Sequence, residues 1–368
     1  MGFSPRIDAM VNLGSLFKKS NPPLVGIDLS SSAVKVVELS FGQTTGMKLE
    51  KYAIEPFEKG AITDGAIERP DAVADALSRA LKKANIKAKD AALALPTSSV
   101  ITKKMMLPDG LTDDEYEIQV ESEASQYIPF SIDEVNLDFQ ILGPAANSEG
   151  DVEVLLAASR KEKVIDRVSI AEMCGLKATV MDVDSYAARI ALDSATAFLA
   201  SGSKDRIIAL FDIGHTLTKL TIVLNDQTVF EREQAFGGSQ LTQDIVRLYG
   251  LTPEEAEQRK KSGELPDNFS TDVLHPFVDQ LAADASRSLQ FFFTSTPYTR
   301  VDQILLAGGS AVLPGLVEAV AERTQVMTEV LSPFQGMEVA NTVREKQLRV
   351  DAPALLVACG LAMRRFDL

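Results

Sequence analysis

Gly26-Ile27-Asp28-Leu29-Ser30-Ser31-Ser32-Ala33-Val34-Lys35 is an apolar strand that ends at an aspartate, turns through three serines and returns as a second strand carrying a lysine. A tight turn between strands aims successive backbone N–H groups into one concavity, which suits an anion. Ser30, Ser31 and Ser32 add hydroxyl donors without bulk, and Lys35 adds a point charge. Asp28 repels phosphate directly, yet it can hold the water shell of a magnesium ion. The same residues also describe a polar hairpin turn with a solvated lysine. Taken alone, they do not separate the two readings.

The stretch has a second copy. Asp212-Ile213-Gly214-His215-Thr216-Leu217-Thr218 again ends an apolar strand in aspartate and turns at once. Gly214 lets the backbone approach a ligand closely, and Thr216 and Thr218 offer hydroxyls. Around the first copy, Leu24–Leu29, Ala33–Leu39 and Lys48–Ile54 read as three antiparallel strands. Around the second, Arg206–Asp212, Leu217–Leu224 and Thr228–Phe236 do the same. Two related halves are the simplest account, with Ser194–Ser203, rich in small residues, as the link. A third loop, Leu305-Leu306-Ala307-Gly308-Gly309-Ser310 through Pro314-Gly315, runs from an apolar strand through two glycines towards a helix, a setting that admits a phosphorylated ligand near a helix N-terminus or a plain turn.

Between these landmarks the periodicity predicts helices over Ala72–Asn85, Asp113–Ser125 (Thr112 as N-cap with Glu115 three residues on), Glu162–Gly175, Ser239–Leu248, Pro253–Ser262, Thr271–Thr294, Leu313–Thr324 and Pro353–Arg365. Strands are predicted over Ala91–Leu95, Ile101–Met106, Val135–Leu142, Val152–Ser159 and Gln303–Leu306. The expected domains are a flexible leader over 1–23, a first half over 24–200 with an inserted α+β subdomain at about 52–160, a second half over 201–352 with a helical part at about 239–298, and a C-terminal helix over 353–368 returning to the first half.

The chain has 368 residues, 45% hydrophobic and 24% charged, the balance of an ordinary globular protein. A net charge of −15 argues against a nucleic-acid-binding surface as the main function. Cys174 and Cys359 each sit alone in an apolar stretch and read as buried small hydrophobes. No apolar run reaches the length of a membrane span, and no secretory signal is visible, so the expected compartment is the cytoplasm. Met10–Lys19, with Val11, Leu13, Leu16, Phe17 and Lys18-Lys19, reads either as a disordered tail or as a weak amphipathic foot. No Walker A loop is present. His275, before Pro276, has no catalytic context.

The motifs together resemble the superfamily of actin, the heat-shock chaperones and the sugar kinases. Gly26–Ser32 resembles its first phosphate motif, Asp212-Ile213-Gly214 its second and Gly308–Gly315 its adenosine motif, in family order. Lys35 stands where actin-like members carry a phosphate-binding lysine. Ala256-Glu257-Gln258-Arg259-Lys260 is similar to the segment by which the cell-division protein FtsA touches adenosine. Within the superfamily the chain resembles the PilM family of type IV pilus assembly proteins. Glu121–Leu137, with Tyr127–Phe130, and Phe236–Thr242 carry that similarity, as does the leader Leu16-Phe17-Lys18-Lys19.

The resemblance implies an α/β fold of actin-like (ribonuclease H-like) duplicated halves with a small α+β inserted subdomain, holding ATP and Mg2+. It implies phosphate contacts from Ser30, Ser31, Ser32, Lys35, Gly214, His215 and Thr216. Asp28, Asp212 and Asp184 would hold magnesium through water, and Glu257, Lys260, Gly308, Gly309 and Ser310 would contact adenosine. His215 departs from the acidic residue of actin, which points to slow ATP hydrolysis at most, with no catalytic base assigned. The implied role is a scaffold, peripheral on the cytoplasmic face of the inner membrane. It would bind the PilN N-terminal cytoplasmic peptide and, beyond it, components such as the PilO complex and the assembly motor. The alternatives are a small-molecule kinase of the superfamily or an FtsA-like filament-forming protein.

Overall fold

The computed structural model describes residues 22–42, 46–145, 148–198, 205–225 and 227–367. The leader, including Met10–Lys19, and most of the expected link lie outside the described residues. Contacts divide the chain into two units. The first comprises the described residues of Met1–Ile190, Glu338–Ala340 and Val357–Leu368; the second comprises those of Ala191–Met337 and Asn341–Leu356.

In the first unit, β1 (Leu24–Leu29), β2 (Ala33–Phe41) and β3 (Met47–Pro56) form an antiparallel meander. A short hairpin of β4 (Ile62–Thr63) and β5 (Ala66–Ile67) leads to α1 (Pro70–Lys83) and then β6 (Asp90–Leu95), which lies parallel to β1. Next come β7 (Ile101–Pro108), α2 (Asp113–Ala124), β8 (Val135–Pro144) and β9 (Asp151–Arg160). The chain re-enters the large sheet through α3 (Lys161–Met173) and β10 (Lys177–Val183), parallel to β6, and leaves along α4 (Asp184–Thr196).

The second unit opens the same way, with β11 (Ile207–Ile213), β12 (Thr218–Leu224) and β13 (Gln227–Gln234) antiparallel. Helices α5 (Gly238–Tyr249), α6 (Pro253–Ser262) and α7 (His275–Ser295) follow. They lead to β14 (Gln303–Ala307), parallel to β11, and through α8 (Leu316–Thr324) to β15 (Thr328–Val330), parallel to β14. Then β16 (Glu338–Val339) adds to the edge of β3, and α9 (Glu345–Asp351) and α10 (Leu356–Met363) close the chain.

The sheet orders are β10-β6-β1-β2-β3-β16 and β13-β12-β11-β14-β15. Numbered within each unit, both run 3-2-1-4-5, with strands 1 to 3 antiparallel and 1, 4 and 5 parallel. Parallel neighbours need a crossover, and the last one in each unit includes a helix, α3 or α8. The duplication inferred from two turns is thus a duplication of whole sheet topology.

Apolar periodicity sets what each helix buries. Val73, Ala76, Leu77 and Ala80 of α1 join Val34, Val36 and Leu93 in the first core. Phe277, Leu281, Ala285, Leu289 and Phe292, one turn apart along α7, join Phe211, Leu220 and Ile222 in the second. Each such side chain contributes about 1.5–3 kcal/mol when fully buried. Close backbone approach fixes α10: a methyl group on Gly26 would overlap the Ala358 carbonyl, and one on Gly360 the Ala187 carbonyl. Buried Asp182 then accepts from Arg364 Nε at 2.7 Å, tying the C-terminal segment to β10.

Several sequence expectations need correction. The inserted subdomain does not begin near residue 52: β3, α1 and β6 belong to the large sheet and its core, and the separate three-stranded sheet is β7-β9-β8, from Ile101. The helix expected over Thr271–Thr294 opens as a π-helical turn at Ser270–Leu274, because Pro276 has no N–H to give and crowds the preceding turn. The helix expected from Leu313 starts at Leu316, since Gly315 has φ +82° and caps it. Cys359 is buried as expected, but Cys174 is only half-buried, its thiol 3.3 Å from the Ser78 hydroxyl. β10, α4 and α9 were not anticipated. Among the described residues no helix is long and apolar enough to cross a membrane.

Candidate functional site

In open α/β sheets ligands sit beyond the carboxyl ends of the parallel strands. Asp28 and Asp212 occupy that end of β1 and β11, and each is followed at once by its turn.

In the first unit, register sets Asp28 opposite Lys35. Lys35 Nζ lies 2.9 Å from Asp28 Oδ2, with both side chains largely buried. The Ser30 amide and hydroxyl both donate to the Ala33 carbonyl, at 3.2 and 2.9 Å, which closes the turn. Ser31 and Ser32 are partly exposed beside it. Asp184, first residue of α4, accepts from the Thr97 amide at 3.0 Å and hydroxyl at 2.5 Å. Thr97 follows β6, so Asp184 pins the loops after β6 and β10 together. Arg167, on α3, is almost wholly buried and donates to Ala94 and Gly65 carbonyls, which anchors the end of β6 and the β4–β5 turn.

In the second unit three loops interlock. The Gly214 amide donates to Leu217 O at 2.9 Å; the carbonyls of Gly214 and His215 accept from Gly238 and Ser239, the first amides of α5. The Ser310 amide reaches Ile213 O at 3.2 Å, and Gly308 donates to Pro353 O at 2.8 Å. Side chains are excluded at the crossings. A methyl group on Gly237 would lie 2.6 Å from Gly214 O, and one on Gly238 2.8 Å from Ser310 Oγ. One on Gly308 would lie 2.6 Å from Asp212 Oδ1 and overlap Ile213 O, and Gly308 has φ +86°. Gly309 is open.

Helix α6 is bound to the same place. Lys260 Nζ lies 2.6 Å from Glu257 Oε2 and donates to the Thr242 hydroxyl at 2.8 Å, which donates on to Glu257 at 2.8 Å. Burial alone would raise the Glu257 pKa; Lys260, Thr242 and Lys261 more than offset it and hold the carboxyl at about 2. Burial lowers the pKa of Lys260, with Glu257 acting against that.

The chain matches the family model of type IV pilus assembly protein PilM over residues 26–366. It belongs to that family. A solved PilM–PilN type IV pilus biogenesis complex is similar at a TM-score of 0.76 and 28% identity, over 94% of this chain and 99% of that one. The ethanolamine utilization protein EutJ from Carboxydothermus hydrogenoformans, at a TM-score of 0.56 and 15% identity over 93% and 89%, shares the fold. The fold is therefore actin-like, an α/β duplication with a small α+β insert.

Of the residues singled out from sequence in this PilM-family chain, Asp212, Gly214, His215, Gly308 and Ser310 come together in one interlocked patch. Glu257 and Lys260 join it through Thr242 and Gly238. Thr216 continues the same turn. Asp28 and Lys35 pair directly. Asp184 stands at the same sheet end as Asp28 but is occupied by Thr97. The loop that begins with Gly308-Gly309-Ser310 ends at Gly315, the N-cap of α8, so the two glycines precede the helix by a further turn of chain. Tyr127–Phe130 lies in the small subdomain, with Ile128 in its core and Tyr127 40% exposed under Lys103. The sequence marked Phe236–Thr242 as a family likeness but gave no site role to Gly237, Gly238 or Thr242, nor to Thr97. Two adjacent glycines between a strand and a helix were the available signal for the first two.

Proposed function

We propose that this chain is an actin-like, ATP-binding scaffold of the type IV pilus inner-membrane assembly platform that captures the N-terminal cytoplasmic peptide of PilN. The observation that carries the reading is the family match over residues 26–366, joined to similarity across nearly the whole of a PilM solved with PilN. The chemistry is consistent with it. Asp28–Lys35 and Asp212–Thr216 act as phosphate turns: Ser31, Ser32, Lys35, His215 and Thr216 donate, while Ser30 and Gly214, engaged with the Ala33 and Leu217 carbonyls, shape the turns. Asp28 and Asp184 in the first unit, and Asp212 in the second, are the carboxylates that would meet the water shell of a magnesium ion. Gly308, Gly309, Ser310, Glu257 and Lys260 contact the adenosine, where glycines give a flat ring close access and the Lys260–Glu257 pair supplies polar partners.

A bound magnesium would supply neutralisation of phosphate charge, and the nucleotide would serve as a shape-setting ligand. No carboxylate is assigned as base, so hydrolysis is slow at most; positioning without a water-activating group supports binding more than turnover. The peptide is extended and docks against the first unit, which places the protein at the cytoplasmic face of the inner membrane through its partner. The PilO complex and the assembly motor act further along the same platform.

The test is calorimetry with a synthetic PilN N-terminal peptide, with and without Mg-ATP. The reading expects saturable peptide binding whose affinity changes with nucleotide. Absence of binding by both ligands would remove it.

A further inference from the structure

The amino ends of the parallel strands carry a different chemistry. Register aligns Leu24 of β1 with Asp90 of β6, and Asp90 with Lys177 of β10. The Lys177 amide also donates to Lys89 O at 2.7 Å. The three strand starts are therefore neighbours, within about 10 Å of one another at ordinary strand spacing. The loops that deliver them bring Lys82, Lys83, Lys87, Lys89 and Lys177 to this end, all exposed. Only Lys83 has a carboxylate partner among the described residues, Glu55 at 3.4 Å. The carboxylates in the same loops are Asp90 and Glu172. This is a lysine rim on a chain of net charge −15.

Lys82 and Lys83 have a helical role, since the last turn of α1 favours cations. Lys87, Lys89 and Lys177 have none; they stand in a loop and at a strand start. Apolar side chains flank the rim. Met173, at the end of α3, is 53% exposed. Phe41, three residues beyond the β1–β2 pairing, is also 53% exposed and meets the Phe366 ring edge-on at 4.8 Å. Pro22 and Pro23 are exposed where the chain enters β1.

We infer that this sheet end is a docking surface for an anionic lipid bilayer. Clustered lysines with interspersed exposed apolar groups match a headgroup layer, where each lysine adds attraction and each apolar side chain buries area. A nucleic acid calls for an extended basic track along its backbone, and this rim is compact on an acidic chain. The inference goes beyond the scaffold reading, because lipid contact requires neither nucleotide nor PilN peptide. It would orient the opposite sheet ends, with the Asp28 and Thr97 loops, away from the bilayer.

The experiment is co-sedimentation of the full chain with phosphatidylcholine vesicles with and without phosphatidylglycerol, beside the variant Lys82→Gln/Lys87→Gln/Lys89→Gln/Lys177→Gln. At about fivefold per surface lysine, the variant should partition at least about a hundredfold more weakly into the anionic vesicles. Wild type should be released by raised salt and ignore neutral vesicles. These lysines are exposed, so beyond the few tenths of a kcal/mol that Lys82 gives the end of α1 the variant should keep the wild-type stability and the same peptide and Mg-ATP calorimetry; that separates failure here from failure of the scaffold reading. The inference is overturned by no binding to anionic vesicles, by equal binding of variant and wild type, or by tighter binding to duplex DNA than to those vesicles.

Discussion

The two aspartate turns occupy the same place in the same topology, yet they are built differently. Asp28 is held by a side chain, Lys35, across one strand pair. The turn after Asp212 is crossed by other loops, so closely that a methyl group on Gly237 would meet Gly214 O, one on Gly238 Ser310 Oγ and one on Gly308 Ile213 O. A side-chain lock can rearrange when an anion or a metal competes for the lysine. A backbone lock yields less, because moving one loop breaks hydrogen bonds to several others at once. The first turn is thus suited to respond to a ligand, and the second to hold a fixed shape.

Five substitutions bear on that contrast. The largest effect is expected from Gly308→Ala, which adds both an overlap and a strained positive φ; it should cost about 2–4 kcal/mol in urea unfolding. Gly309→Ala, one residue on with open space around it, should stay within about 1 kcal/mol. Equal losses would dissolve the idea of a specific backbone lock.

Next is Lys260→Met, which strands Glu257 and should cost about 1–3 kcal/mol. Its signature is in the pH dependence. Glu257 sits at about 2 when folded and near 4.3 when unfolded. A depressed carboxyl contributes stability that is present above the unfolded pKa and is lost as pH falls through the folded one, at most about 3 kcal/mol here. Wild type should therefore lose this contribution between about pH 4.3 and 2, and the variant should lack that part of the acid limb. An unchanged limb would separate Lys260 from the carboxylate.

Lys35→Ala should weaken Mg-ATP about tenfold, worth about 1.4 kcal/mol, and, because it leaves the largely buried Asp28 unpaired, should also cost about 1–3 kcal/mol of stability. A large loss of fold stability without a change in affinity would make the first turn the rigid one. The smallest effect is expected at a distance from both turns. Thr112→Ala removes the capping box of α2 and should cost about 1 kcal/mol, seen as faster amide exchange in the first turn of that helix and nowhere in the two aspartate turns.

What could be read from sequence follows locality. Both meanders, with their aspartates and turns, are local and were legible. So were α1, α5 and α6, where apolar spacing and caps such as Thr252 with Glu255 agree. The insert boundary was not, because assigning β6 to the large sheet depends on Leu24 meeting Asp90, a pairing that nothing within either strand specifies. β10 was hidden by the irregularity between Ala178 and Val180, which breaks its alternation. The site divides the same way. Gly308 and Asp212 were visible as separate turns, while the crossing of Gly237 and Gly238 over Gly214 and Ser310 belongs to the folded chain alone.

The most direct test of the nucleotide site is a calorimetric titration of Mg-ATP into wild type and Asp212→Ala. The reading predicts saturable binding of one nucleotide per wild-type chain, weakened at least about tenfold in the variant, or about 1.4 kcal/mol. Equal affinity in the two proteins, or no binding to wild type, would contradict it.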